Sequence, residues 1–159
     1  MTPKKMILRP KIALYEPDIP QNTAAIIRTC SCLEVIVEII EPCGFMINDK
    51  RFKRVVMDYL DEKMIRFYKN YDEFFKVKKK ENERIILMTT KASDSYTNFR
   101  FNVTDTILFG RESAGVPKKI HKMVDKRLKI PLSLKKRSLN IASSVAITVA
   151  ESLRQNKLI

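Results

Sequence analysis

The sequence predicts an α/β protein in which a mostly parallel sheet is covered by helices on both faces. Segments typical of strands and helices alternate along nearly the whole chain, and this alternation is typical of parallel strands joined by helical crossovers. Several strand segments are continuous apolar runs, as expected for strands buried on both faces. Neither a repeat nor a linker interrupts the pattern, so we expect one domain over residues 1–159, of which residues 1–10 form a basic N-terminal tail.

Each element has a signal of its own. The prolines and Asn22 of EPDIPQN predict a loop that ends in a helix cap, and the lysines 76 and 78–80 predict a solvated helix end. We expect an irregular connection over Tyr96–Asn102. The predicted strands are Lys11–Tyr15, Val35–Ile40, Met64–Tyr68, Arg84–Thr90, Thr106–Phe109 and Arg127–Ile130. The predicted helices are Thr23–Leu33, Asn48–Tyr59, Tyr71–Val77, Pro117–Val124 and Ile141–Gln155.

The stretch IPLSLKKRSLNIASSVAITVAESLRQ combines a basic loop with an unusually apolar helix. Three cations, Lys135, Lys136 and Arg137, precede Ser138 and Asn140, which stand where a helix cap would stand. The free N–H groups of such a helix start attract anions, so the loop is a candidate phosphate site. Apolar residues surround the following helix almost completely, which favours a partner subunit. A capped core helix after a solvated loop is the alternative.

Charge narrows the classes of partner. The chain has 31 Lys and Arg against 18 Asp and Glu, a net charge of +13, which favours nucleic acid first and an anionic membrane surface second. Neither a membrane-spanning run nor a signal peptide is present in the sequence, so we expect a cytoplasmic protein that does not enter the membrane. Three cysteines without a CxxC spacing and a single histidine, His121, predict no metal site.

The glycines exclude the common nucleotide-binding loops. The first turn lacks the G-x-G-x-x-G of a Rossmann domain, and the P-loop pattern is absent too. Two of the three glycines, Gly110 and Gly115, directly follow a buried strand. We therefore expect the ligand site late in the chain, where the loops after Thr90, Phe109 and Ile130 converge at the carboxyl ends of their strands.

Four stretches carry a resemblance to a known family. They are LYEPDIPQNTAAIIRTC, IIEPCGF, LFGRESAGVP and IPLSLKKRSLNIASSVAITVAESLRQ. Together they resemble the motifs of the SPOUT superfamily of RNA methyltransferases, most closely the TrmL (YibK) type of tRNA 2′-O-methyltransferase that acts on the wobble nucleotide. The similarity extends from Lys11 to Gln155, with the motifs in the family's order and spacing.

The resemblance implies a C-terminal trefoil knot, a homodimer, and S-adenosyl-L-methionine bound within the knot. Gly110 would be required because a side chain there would crowd the ligand. The group that orients or deprotonates the ribose hydroxyl would be Arg28, an orienter rather than a strong base because an arginine guanidinium holds its proton firmly. Asn22, Glu112 and Ser138 are the other candidate catalytic residues, and Ser138, Glu112 and the target's own phosphate remain alternative candidates for taking the proton. The cofactor pocket would comprise Met88, Gly110, Ile130, Leu132, Ser138, Leu139 and Asn140.

With no appended RNA-binding domain, we expect tRNA to lie across both subunits. The candidate RNA contacts are Arg51, Lys53, Lys135, Lys136 and Arg137. Two alternatives remain open from the sequence. One is an RNA-binding homodimer with weak or lost catalysis, and the other is a 2′-O-methyltransferase for another RNA site.

Overall fold

Six strands form one parallel sheet at the centre of the molecule, as the sequence predicts. The structure is a computed structural model that describes residues 7–56 and 61–159. The strand order is β3-β2-β1-β5-β4-β6, and every pairing is parallel. The strands are β1 (Lys11–Tyr15), β2 (Val37–Ile40), β3 (Ile65–Tyr68), β4 (Ile85–Met88), β5 (Thr106–Phe109) and β6 (Lys126–Leu128).

Helices cover both faces of this sheet, which confirms the predicted layering. They are α1 (Pro20–Cys32), α2 (Lys50–Val56), α3 (Tyr71–Lys80), α4 (Lys118–Met123) and α5 (Ile141–Gln155). Alternate strand residues pack on opposite sides, so Ile12 and Leu14 join the core under α1, α2 and α5, while Ala13 and Tyr15 join the core under α3 and α4. None of the helices in the described ranges is both long and apolar enough to span a membrane.

The register of the sheet aligns the strand ends that matter for function. Leu14 pairs with Phe109, Phe109 with Met88, and Met88 with Leu128. One row therefore crosses four adjacent strands just before their carboxyl ends. The loops that leave β1, β4, β5 and β6 consequently start side by side, which is the arrangement that places ligands in open parallel sheets.

The start of α1 corrects one sequence prediction. Asn22 is not the helix cap, because the helix already begins at Pro20 with Ile19 in the cap position and without a side-chain cap. Proline at the first helical position has a φ angle suited to a helix and lacks only an N–H that would be unpaired anyway. The Asn22 side chain is thereby left to bond elsewhere.

The other helix boundaries differ by a few residues. The helix predicted over Asn48–Tyr59 is observed over Lys50–Val56, and residues 57–60 lie outside the described ranges, as does most of the predicted basic tail. β2 begins two residues later than predicted and β6 one residue earlier. The predicted irregular connection holds one 3-10 turn, Tyr96–Asn98. The start of α5 at Ile141, with Asn140 as its cap, is as predicted.

The lysine run at the end of α3 was predicted to be solvated, and this is wrong for Lys78. Its side chain is fully buried, and its ammonium lies 2.5 Å from Glu38 Oε1 and 2.8 Å from Glu83 Oε2. Tyr68 donates to the other oxygen of Glu38 at 2.5 Å, and Thr106 donates to Glu83 at 3.0 Å. The lysine pattern alone could not reveal this, because Glu38 comes from β2, 40 residues away in the chain, and Glu83 lies beyond the end of the helix.

Candidate active site

A pocket of about 410 Å³ opens where the loops after β4, β5 and β6 meet the start of α5. Its walls are the end of β4 with Thr89 and Thr90, the loop 110–116, the segment 130–140 and the first turn of α5. The prediction that the loops after Thr90, Phe109 and Ile130 converge is confirmed. The aligned ends of β4, β5 and β6 account for this, since all three loops leave the same edge of the sheet.

Most of the residues singled out from the sequence line this one pocket. They include an apolar wall of Met88, Ile130, Leu132 and Leu139 and a polar side around Glu112. Residues that the sequence reasoning did not single out, among them Ile19, Ser144 and both threonines after β4, complete the lining. The predicted site residues on the wall are Asn22, Met88, Gly110, Glu112, Ile130, Leu132, Ser138, Leu139 and Asn140.

A chain of hydrogen bonds joins the polar residues of the pocket. Asn140 caps α5 by accepting the backbone N–H of Ala142 at 2.8 Å, and its amide donates to Asn22 Oδ1 at 3.1 Å. Asn22 in turn donates to Glu112 Oε1 at 3.5 Å. The second carboxylate oxygen of Glu112 accepts the N–H of Asp18 at 2.9 Å. Three separate motifs are therefore fixed relative to one another, and each side chain in this hydrogen-bonded series has a defined orientation.

Asp18, which the sequence reasoning passed over, organises the loop after β5. Its carboxylate accepts Arg111 Nε–H at 2.9 Å and the backbone N–H of Ser113 at 3.0 Å. The hydrogen bond from Arg111 is the main reason why the pKa of the Asp18 carboxyl is lowered. This pairing locks the loop that carries Glu112 onto the loop that follows β1. Asp18 and Arg111 both lie inside the quoted sequence motifs. Their opposite charges were a signal in the sequence from which this pair could have been predicted.

A requirement for glycine at position 110 follows from the protein's own backbone. A Cβ on Gly110 would lie 2.6 Å from both Cα and C of Gly115, which is closer than backbone atoms tolerate. Arg111 and Gly115 exchange backbone hydrogen bonds at 3.0 and 2.8 Å, and Gly115 has a φ of 64°. The glycine pair therefore closes a tight loop, and crowding of a ligand is not needed to explain it.

The segment before α5 presents unpaired backbone to the pocket. Within the described ranges, the backbone N–H groups of Leu132, Ser138 and Leu139 make no hydrogen bond. Exposed donors beside the start of a 15-residue helix are suited to a ligand with acceptor atoms. The apolar wall opposite is suited to a flat aromatic group.

Several predicted residues lie away from the pocket. Arg28 is exposed on α1 and does not line it, so the described chain does not bring Arg28 to the other predicted catalytic residues. Arg51 and Lys53 are exposed on α2. The cations 135–137 are exposed on the loop just before Ser138 but do not line the pocket.

Comparison with known proteins identifies the family. Residues 9–150 match the SpoU rRNA Methylase family. The chain belongs to that family. The resemblance to SPOUT RNA methyltransferases stated from the four motifs is confirmed, and with it the expectation of an RNA methyltransferase.

Two relatives of the same name are similar to this chain over most of its length. The chain is 45% identical to the tRNA (cytidine(34)-2′-O)-methyltransferase of Beijerinckia indica subsp. indica over 144 residues, which cover 91% of this chain and 90% of that protein. It is 38% identical to the enzyme of the same name from Aeromonas hydrophila, with 91% and 92% covered.

Solved structures agree on the fold. A structure that concerns the 2-OH methylation of C/U34 on tRNA matches with a TM-score of 0.86 and 31% identity, covering 92% of this chain and 95% of that one. The SpoU methyltransferase AviRb from Streptomyces viridochromogenes, in complex with the cofactor AdoMet, matches with a TM-score of 0.83. Its identity is 17%, with 97% of this chain and 60% of that chain covered, so this second likeness concerns the fold alone.

Proposed function

We propose that this protein transfers a methyl group from S-adenosyl-L-methionine to the ribose 2′-hydroxyl of nucleotide 34 in tRNA. The observation that carries the proposal is that three of the four motif stretches, all but IIEPCGF, supply lining residues to one pocket. The cytidine(34) specificity of relatives that are up to 45% identical over nine tenths of the chain supports the choice of nucleotide.

The pocket fits the methyl donor. Its volume of about 410 Å³ lies in the usual range for small-molecule sites. Met88, Ile130 and Leu132 offer an apolar wall for an adenine ring, and the unpaired N–H groups of Leu132 and Leu139 are available to its acceptor atoms. When bound, the donor supplies a methyl group already activated by a sulfonium.

The chain's own residues would position the ribose and take up its proton. Glu112 brings a carboxylate to the pocket wall, held by Asp18 N–H and Asn22, and is suited to accept the hydroxyl proton. Ser138 and Asn140, at the start of α5, are placed to hold the ribose edge. Such positioning supplies much of the rate in a displacement whose leaving group is already activated.

The reaction is tested with purified protein, labelled donor and tRNA. We expect one 2′-O-methyl group at nucleotide 34, mapped by mass spectrometry of nuclease fragments. The matched control is the same tRNA carrying 2′-deoxycytidine at position 34, which lacks the acceptor hydroxyl and should remain unmodified. Methylation of both substrates, or of another position only, would contradict the proposal.

Two variants separate binding from chemistry. Glu112→Gln and Arg28→Ala should each keep the affinity for S-adenosylhomocysteine, measured by calorimetry, and lose methyl transfer by about 10²-fold or more. An Arg28→Ala protein with normal transfer would remove Arg28 from the mechanism. Cofactor binding without transfer by the parent protein would instead favour an RNA-binding homodimer that lacks catalysis.

We also propose the wider assembly that the sequence predicts. The whole chain, residues 1–159, would be one cytoplasmic SPOUT domain with its C-terminal segment threaded as a trefoil knot. A homodimer would form on the exposed faces of α1 and α5, which pack side by side. Arg28 is on that exposed face of α1, so a second copy would place it in the interface.

The tRNA would cross both subunits of this dimer. Arg51 and Lys53 on α2, and the cations Lys135, Lys136 and Arg137 before α5, are exposed and fit contacts to backbone phosphates. Neutralising Lys135 and Lys136 should weaken tRNA binding and reduce its dependence on salt.

A further inference from the structure

A second hollow lies at the outer edge of the sheet, beside β6. Its volume is about 420 Å³. Three elements form it: the loop that follows Thr90, the end of α4, and the start of β6. The residues on its wall are Lys91, Ala92, Ser93, Asp94, His121, Lys122, Val124, Asp125, Lys126 and Arg127.

Backbone pairing holds this edge hollow in shape. Lys129 on the outer side of the β6 segment donates its N–H to Asp94 O at 2.9 Å, and Tyr96 donates to Lys129 O at 2.9 Å. Ser95 and Lys129 thus form a parallel bridge beyond the last strand. The loop that carries Lys91 is therefore fixed to the sheet rather than lying loosely over it.

The two acids of the edge hollow are already engaged. Asp94 accepts from Lys126 at 2.6 Å. Asp125 accepts the backbone N–H of Ile85 at 2.7 Å and lies 3.2 Å from Lys79. In the described ranges, the other cations of the wall, Lys91, Lys122 and Arg127, form no ion pair. The hollow thus carries an uncompensated positive charge.

The positive charge of the hollow affects the pKa of His121, which lies on its wall. Partial burial lowers its pKa first, and the cations Lys91 and Arg127 lower it further. These two cations belong to different elements, the loop after β4 and strand β6, and both line the same hollow as the imidazole. An anion seated in the hollow would reverse their effect on the histidine.

We propose that the edge hollow binds a backbone phosphate of the substrate RNA, away from the reacting ribose. The inference rests on the proposed function for the presence of RNA. One loop separates the two cavities: Thr89 and Thr90 line the active pocket, and residues 91–94 line the hollow. An RNA that enters the pocket therefore passes close to the hollow, and the net charge of +13 favours a polyphosphate over an acidic protein.

The test uses the fact that His121 is the only histidine in the chain. Its ring proton gives one resolvable NMR signal whose pH titration reports the pKa. We expect an anticodon stem-loop RNA with 2′-deoxycytidine at position 34, which binds without reacting, to raise the His121 pKa by about one unit. Inorganic phosphate is titrated in parallel.

The variant Lys91→Gln/Arg127→Gln removes these two cations. In the free protein it should raise the His121 pKa, and RNA should then shift it no further. RNA affinity should fall about tenfold, and the slope of log affinity against log salt should lose about one unit, because one phosphate contact is lost. The matched control is Lys76→Gln/Lys80→Gln, which removes two exposed cations from α3, away from both cavities, and should change neither the histidine nor the slope comparably.

The outcomes separate the two proposals. If the parent protein binds no RNA, the proposed function fails together with this inference. If it binds and methylates RNA while the His121 pKa stays unchanged, or while the two double variants behave alike, only the phosphate site is overturned. A shift with inorganic phosphate but none with RNA would identify a free-anion site and overturn the inference too.

Discussion

The glycine pair Gly110 and Gly115 allows two kinds of glycine requirement to be told apart. At Gly110 an added Cβ meets backbone atoms at 2.6 Å, whereas at Gly115 it meets nothing within 4 Å and the φ of 64° is the only obstacle. We expect Gly110→Ala to lower the free energy of unfolding by about 1–3 kcal/mol, as overpacking does, and to weaken S-adenosylhomocysteine binding because the pocket loop must open.

Substitutions at Gly115 are the control for Gly110→Ala. Gly115→Ala should cost about 1 kcal/mol from backbone conformation alone, and Gly115→Asn should cost less because asparagine tolerates positive φ. Urea unfolding and calorimetry measure both quantities. A Gly110→Ala protein with the parent's stability and affinity would show that the loop yields freely, and the role assigned to this contact would then be wrong.

Neighbouring lysines on α3 should respond very differently to the same substitution. Lys78 is fully buried between Glu38 and Glu83, whereas the side chain of Lys79 is 44% exposed beside Asp125. Lys78→Met leaves buried carboxylate charge uncompensated and should cost about 3–5 kcal/mol. Lys79→Met should cost under about 1 kcal/mol. Equal losses in urea unfolding would refute the buried network.

These residues also show which structural features could be predicted from the sequence and which could not. The pocket residues Gly110 and Glu112 were found because one local motif, LFGRESAGVP, carries both. The burial of Lys78 was missed because its partner Glu38 lies on β2, far away in the chain, and Asp18 was missed because its partner Ser113 is also distant in sequence. A run of lysines has the same sequence pattern whether one of its side chains is solvated or buried. Only the three-dimensional structure shows which lysine is buried.

At the scale of single elements, the start of α5 contributes both to the stability of the helix and to the geometry of the candidate active site. Asn140 has two tasks, since its oxygen caps the helix and its amide group orients Asn22. Asn140→Asp keeps a capping oxygen but loses the N–H donor. We therefore expect stability within about 0.5 kcal/mol of the parent, together with a clear loss of methyl transfer, because the oxygen of Asn22 is no longer held.

The comparison variant is Asn140→Ala, which loses both tasks. It should lower the free energy of unfolding by about 1 kcal/mol and also impair methyl transfer. Thermal melts and the methylation assay read the two effects separately. If Asn140→Asp transfers methyl groups normally, the hydrogen bond to Asn22 has no part in the site.

Elements were predicted better by type than by boundary. The strand Thr106–Phe109 and the helix after Asn140 begin where expected because each has a sharp local signal. The start of α1 was misplaced because two signals compete there, and Pro20 at the first helical position prevails over the capping tendency of Asn22.

At the scale of the whole molecule, the two ends of the sheet have separate tasks. The carboxyl ends of β4, β5 and β6 carry the pocket. The opposite end, around Thr106 at the start of β5, carries the buried network of Lys78 and Glu83. The buried ion-pair network is thus separate from the loops that form the pocket.

The exposed face of α5 leads to the last prediction. Ser143, Ile147, Ala150 and Arg154 recur at the spacing of one helix face, and all are exposed. Beside them α1 exposes Ala25 and Cys32 around Arg28. Small residues around one isoleucine permit close helix packing, so we expect a dimer in analytical ultracentrifugation. Ile147→Asp would bury an unpaired charge in its interface and should raise the dissociation constant about 10- to 100-fold.

A matched substitution elsewhere makes this specific to α5. Met46 is 75% exposed and lies outside α1 and α5, so Met46→Asp should leave the dimer intact. Because Arg28 is exposed on α1, the helix that packs beside α5, loss of the dimer should also lower methyl transfer while each monomer keeps its own cofactor pocket. An Ile147→Asp protein that dimerises like the parent would place the subunit contact on another surface and leave Arg28 without a route to the reaction.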